Sequence, residues 1–101
     1  MIVIESKENS LFKNIKKLKE RKNRSKEKKY IIEGFRLVEE GFKAGADIEC
    51  LVIEEGNEQK ANEFLKEYLT VSKIYLMKKS LFGQLIATEN TQGVLAVVKM
   101  N

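Results

Sequence analysis

The run Gly93-Val94-Leu95-Ala96-Val97-Val98 limits the fold more than any other segment of the chain. It is too short for a typical helix and too uniformly apolar for a strand with one wet face. It therefore reads as a strand in mid-sheet, covered on both sides. The residues before it can supply the covering layers. From Tyr30 onward, short apolar stretches alternate with amphipathic ones. Tyr30-Ile31-Ile32 reads as a strand, and Glu33-Gly34 turns the chain into a helix with Phe35, Val38 and Phe42 on one face and Gly45 as its left-handed stop. A strand is expected over residues 48–53, then a turn at Glu55-Gly56-Asn57 and a helix presenting Ala61, Phe64, Leu65 and Tyr68. Another strand follows over residues 71–77, and a short helix carries Leu81, Phe82, Leu85 and Ile86. With one helix ahead of all this, the order is αβαβαβαβ. The expected class is α/β: a compact three-layer sandwich, with an about four-stranded sheet and helices on both faces. At 101 residues the chain is one domain, 1–101, with no internal repeat or linker.

The leading helix is expected over residues 10–21. Leu11, Phe12, Ile15 and Leu18 project within a sector of about 120°, leaving Lys13, Lys16 and Lys17 outside it as a basic stripe. Asn9 or Ser10 can cap its start. Residues 22–29 contain no apolar side chain, so burial cannot offset the entropy of ordering them, and a mobile basic loop is expected. Charge is distributed unevenly. Residues 1–30 carry eleven Lys and Arg against four Glu, whereas residues 31–101 carry eight against eleven acidic residues, so the net +4 divides into +7 and −3. A basic first third on a mildly acidic remainder suits a polyanion, because Lys and Arg displace counterions from phosphates. A solvated helix face is the plainer alternative.

Several classes of chemistry are excluded or disfavoured. There is no histidine, which removes both the usual nitrogen ligand of zinc and the side chain that titrates near neutrality. The lone Cys50 cannot form an internal disulfide and reads as an inert buried thiol. No catalytic or metal-binding residue is expected, and there is no Gly-rich phosphate loop after a strand. No stretch approaches the roughly 18–20 apolar residues of a membrane span, and Met1-Ile2-Val3-Ile4-Glu5 lacks the flank and core of a signal peptide. A cytoplasmic protein without a membrane partner is expected.

One ordered set of residues has a counterpart in a known family: Ser6, Asn9, Lys13, Lys16, Leu18, Arg24, Glu33-Gly34, Arg36-Leu37-Val38, Thr88 and Gln92-Gly93-Val94. The chain resembles, from about Ile4 to Val98, the N-terminal substrate-binding domain of the SpoU/TrmH-type RNA ribose 2′-O-methyltransferases. Tyr30 stands where that family usually has Phe, and Thr91 where it usually has Pro, a change expected only to loosen a loop. The resemblance implies a fold similar to that of ribosomal proteins that bind kinked RNA, joined in full-length members to a knotted catalytic domain. That domain is absent here, and S-adenosylmethionine and the methyl-transfer site would belong to it. One domain of a longer enzyme is therefore expected, inactive alone and homodimeric through the missing part. Its partner would be RNA, with ribosomal RNA ahead of transfer RNA.

The candidate RNA-binding residues are Asn9, Lys13, Lys16, Lys17, Arg21, Lys22, Arg24, Glu33, Gly34 and Arg36. The lysines attract phosphates with little base information, whereas Arg24 can also stack on an unpaired base or grip a phosphate with two donors. Asn9 can be cap, ligand or both. Gly34 is explained by a tight turn or a close approach. Glu33 can clamp Arg24 or Arg36 in a salt bridge, or accept from an RNA base or 2′-hydroxyl. Tyr68 and Tyr75 read as packing residues. Two other functional classes are weighed: a free-standing kink-turn-type RNA-binding protein, whose Gly-x-Asn-Glu-x-x-Lys helix start is missing here, and a protein interaction module whose lysines only confer solubility.

Overall fold

A computed structural model describes residues 1–70, 73–86 and 90–101. Five strands make one mixed sheet: β1 (Ile2–Ile4), β2 (Lys29–Glu33), β3 (Asp47–Glu54), β4 (Ile74–Met77) and β5 (Val94–Lys99), in the order β1-β4-β3-β5-β2. The first three strands in that order run parallel, and β5 is antiparallel to both β3 and β2. The helices are α1 (Ser10–Lys17), α2 (Arg21–Glu27), α3 (Phe35–Lys43), α4 (Glu58–Phe64), α5 (Lys66–Leu69) and α6 (Lys79–Phe82).

The apolar run behaves as its composition requires. Residues 94–98 are buried, with Leu95 and Val97 in one core beside Phe12, Ile15 and Leu18 of the α1 segment, and Val94 and Ala96 in a second core beside Phe35, Val38 and Ala61. Alternate side chains thus enter opposite layers, and the sandwich is three layers deep.

The structure departs from expectation in four places. The sheet has five strands because Ile2–Ile4 pairs with β4 along its edge. That strand is short and only Ile4 is buried, so it carries no alternating signal to read. Residues 22–29 are not a loop: Arg21–Glu27 is helical, and Lys29 begins β2. Arg, Lys and Glu favour helix intrinsically, and no side chain of α2 needs burial to form it. The first helix stops at Lys17, where the Leu18, Lys19 and Glu20 amides tighten to carbonyls three residues back. The fourth helix breaks at Leu65, and Phe64, expected on its buried face, is 50% exposed, its ring tilted 37° to that of Phe35. Of the strand expected over residues 71–77, the described part runs from Ile74, with Val71 and Ser72 outside the described residues.

Candidate nucleic-acid interface

α1 presents its lysines because its other face is committed to the core. Phe12, Ile15 and Leu18 are buried, which turns Lys13, Lys16 and Lys17 to solvent. The Asn9 side chain caps the helix by accepting from the Phe12 amide at 3.1 Å. Two lysines have partners: Lys13 pairs with Glu8 at 3.0 Å, and Lys16 donates to Gln84 Oε1 at 3.2 Å while lying over the Phe12 ring. Both contacts are exposed and easily exchanged for phosphate. Arg21 and Lys22 are exposed on α2, and a groove of about 370 Å³ between the two helices is lined by Lys17, Lys22 and Lys26 with Glu20 and Glu27. The basic stripe therefore continues onto a second helix.

Arg24 departs from that stripe. Its Nη1 donates to the Leu18 carbonyl at 3.0 Å and the Lys19 carbonyl at 2.9 Å, and Asn23 Nδ2 donates to the Lys17 carbonyl at 3.0 Å. The Leu18 and Lys19 carbonyls are left without an amide partner among the described residues when α1 ends, and the Lys17 carbonyl also accepts from the Glu20 amide, so α2 is held by capping the end of the preceding helix. With Nη1 committed, a two-donor grip is confined to the Nε and Nη2 edge of the guanidinium.

The Glu33-Gly34 and Gln92-Gly93 pairs, 59 residues apart, are brought together by the antiparallel pairing of β2 with β5. The Gly34 amide donates to the Val94 carbonyl at 2.9 Å, and Glu33 Oε2 accepts from the Gln92 amide at 3.0 Å. The expected clamp between Glu33 and Arg24 or Arg36 does not form among the described residues. The Gln92 amide lies just before β5, where no strand carbonyl is opposite it, and it takes the carboxylate instead. Gly34 has φ +103, while a Cβ added there would meet Gln92 at an ordinary 3.6 Å. Its backbone conformation needs glycine, and close approach does not.

Sequence reasoning missed a buried polar cluster beside this loop. Glu54 is 2% exposed at the end of β3, and its Oε1 accepts from Asn57 Nδ2 at 3.1 Å and from Thr91 Oγ1 at 2.6 Å. Thr91 thus ties the loop that it was expected to loosen. A glutamate ending an apolar strand, with a hydroxyl at 91, was the available signal, but the pairing spans 37 residues. Arg36 is exposed on α3, whose core contacts lie across the sheet from α1, so the fold does not gather it with the lysines. Thr88 lies outside the described residues. Among the described residues no cluster of His, Cys, Asp and Glu could hold a metal ion, and no helix is long and apolar enough to cross a membrane.

This arrangement of sheet and helices is found in RNA methyltransferases. The chain is similar to the solved structure of an RNA 2′-O ribose methyltransferase, with TM-score 0.82 and 26% identity over 99% of this chain and 38% of that one. It also superposes on the rRNA methyltransferase of Sinorhizobium meliloti, with TM-score 0.79 and 18% identity over 98% of this chain and 37% of that one. A third likeness is to the SpoU methyltransferase AviRb of Streptomyces viridochromogenes in complex with AdoMet, with TM-score 0.72 and 21% identity over 92% and 34%. The chain spans a little over a third of the length of these structures. No curated protein matches it. The family model of the MRM3-like substrate binding domain matches residues 9–96, and the chain belongs to that family. It is a substrate-binding domain of the MRM3-like family, and it shares its fold with the SpoU methyltransferase structure.

Proposed function

We propose that this domain recruits the RNA substrate of a ribose 2′-O-methyltransferase, ribosomal RNA ahead of transfer RNA, through the basic face of α1 and α2. The observation that carries this reading is the exposure of Lys13, Lys16 and Lys17 on a helix whose opposite side is core, in a member of a substrate-binding family. Arg21 and Lys22 extend the attraction. Asn9, Glu33, Gly34 and Arg24 are the remaining contacts of the proposal on this side of the sheet, and Arg36 on α3 is a separate contact across the sheet from α1. The likeness to a 2′-O ribose enzyme supports the ribose as target. In this reading the parent enzyme is cytoplasmic and homodimeric through a separate catalytic domain. That domain holds S-adenosylmethionine, which supplies the methyl group. Among the described residues, the two larger cavities are lined by helix ends and a strand edge with no glycine in the lining, and no transfer step is assigned to them.

Replacing Lys13, Lys16 and Lys17 with Gln keeps good helix propensity and the apolar face, so stability should change by less than about 1 kcal/mol. RNA affinity should fall, and the slope of log K against log salt should flatten by up to about three. Lys60, Lys66 and Lys73 are the control, since they belong to the acidic remainder. Equal losses in the two triple variants, titrated at two salt concentrations, would show diffuse attraction without a site on α1. No RNA binding at low salt would leave the interaction-module reading.

A further inference from the structure

A cavity of about 380 Å³ opens between the end of α1, α2 and the outer edge strand β2. That volume falls in the range of about 300–1,000 Å³ typical of small-molecule sites. Its floor is apolar, from Leu18, Ile31, Leu85 and Ile86. Three charged residues border it: Lys19, Arg24 and Glu33.

Each charged side chain is already fixed by backbone. Arg24 Nη1 is held by the Leu18 and Lys19 carbonyls, which leaves Nε and Nη2 without partners among the described residues. Lys19 Nζ donates to the Gln84 carbonyl at 2.9 Å. Glu33 Oε2 accepts from the Gln92 amide, and Oε1 has no partner among the described residues. The site thus combines an apolar floor, a positioned carboxylate and positioned cationic donors, with little ordering left for a ligand to impose.

We propose that this cavity takes one unpaired guanine of an RNA. The inference rests on the RNA-substrate reading and adds the base that is recognised. A carboxylate offers only acceptors, and guanine is the standard base with two adjacent donors, N1–H and N2–H, on its Watson–Crick edge. Adenine presents the N1 acceptor there, and cytosine and uracil place acceptors beside a single donor. Guanine also carries O6 and N7 acceptors, which suit Arg24 and Lys19. Such contacts need a base free of pairing, so the target is a loop, a bulge or a single strand.

The experiment uses nine-nucleotide oligouridylates with one central G, A or C, titrated against the chain by fluorescence anisotropy. The G oligomer should bind about tenfold more tightly than the others, the discrimination of a good bidentate pair. Glu33→Gln keeps an acceptor for the Gln92 amide but loses one of two carboxylate acceptors, so the three affinities should converge while melting is unchanged. The triple Gln variant at Lys13, Lys16 and Lys17 should weaken all three oligomers and preserve their ratio. In the wild-type chain, guanosine 5′-monophosphate should shift the methyl resonances of Ile31 and Leu85, and adenosine 5′-monophosphate should not. Equal, salt-dependent affinity for the three oligomers overturns the guanine site and leaves the RNA reading standing. A G preference that survives in Glu33→Gln overturns the role of the carboxylate. Absence of binding to every oligomer removes both.

Discussion

Two glycines of the paired motifs are required for different reasons. Gly34 needs only its positive φ, so Gly34→Ala should destabilise by about 2 kcal/mol, the cost of holding an L-residue in an extended positive-φ conformation that is essentially confined to glycine. Gly93 has φ +88, and a Cβ there would fall 2.7 Å from Asn57 Cγ and Oδ1, inside the cluster that Glu54 organises. Gly93→Ala should therefore cost more, about 3 kcal/mol, and denaturant titration of the two variants side by side checks the order. Cys50 supplies a pH-dependent test. Burial, and secondarily the negative charge of Glu49, push its thiol from 9.0 up to about 11. The unfolded chain ionises first, so the stability associated with the protonated thiol is complete below pH 9 and is lost as pH rises through about 11. Wild type should lose roughly 2–3 kcal/mol more than Cys50→Ala across that window, measured by urea unfolding at each pH. The expectation of an inert buried thiol agrees with its 2% exposure.

Burial maintains most of the elements, whereas hydrogen bonding maintains α2. β5 and α1 were readable because apolar spacing reports burial directly: a uniform run for a strand covered twice, and a narrow stripe for a helix covered once. α2 was not readable, since none of its side chains is buried and its support comes from Asn23 and Arg24 reaching back to carbonyls five or six residues earlier. Such a helix should open locally. Its amides should exchange with an opening free energy below about 2 kcal/mol, while those of β5 exchange near the global limit. Arg24→Ala should speed exchange in α2 and in the last turn of α1, and lower global stability by about 1 kcal/mol. Exchange measured by mass spectrometry or NMR tests this, and equal protection in α2 and β5 would contradict it. β1 was missed for the related reason that a three-residue edge strand with two exposed side chains has no pattern apart from its partner.

The molecule as a whole measures 34 × 30 × 24 Å, and its positive excess belongs to the first thirty residues. A face of that size reaches about four to six phosphates, so log K for RNA should fall with log salt at a slope of roughly −3 to −5. Titration of one RNA across several salt concentrations measures it, and a slope near zero would remove the electrostatic account. Composition and apolar spacing were enough for the α/β class, the doubly covered strand and the basic helix face, because each depends on which residues are present and how they repeat along the chain, while the family was legible only through the resemblance of an ordered set of residues to a known one. The meeting of Glu33-Gly34 with Gln92-Gly93, the Glu54–Thr91 bond, the inward turn of Arg24 and the cavity beside it were decided by tertiary structure. Sequence periodicity reports how deeply a side chain is buried, whereas the partner of a polar group depends on which distant segments the sheet order makes neighbours, and on which backbone amides and carbonyls that order leaves unpaired.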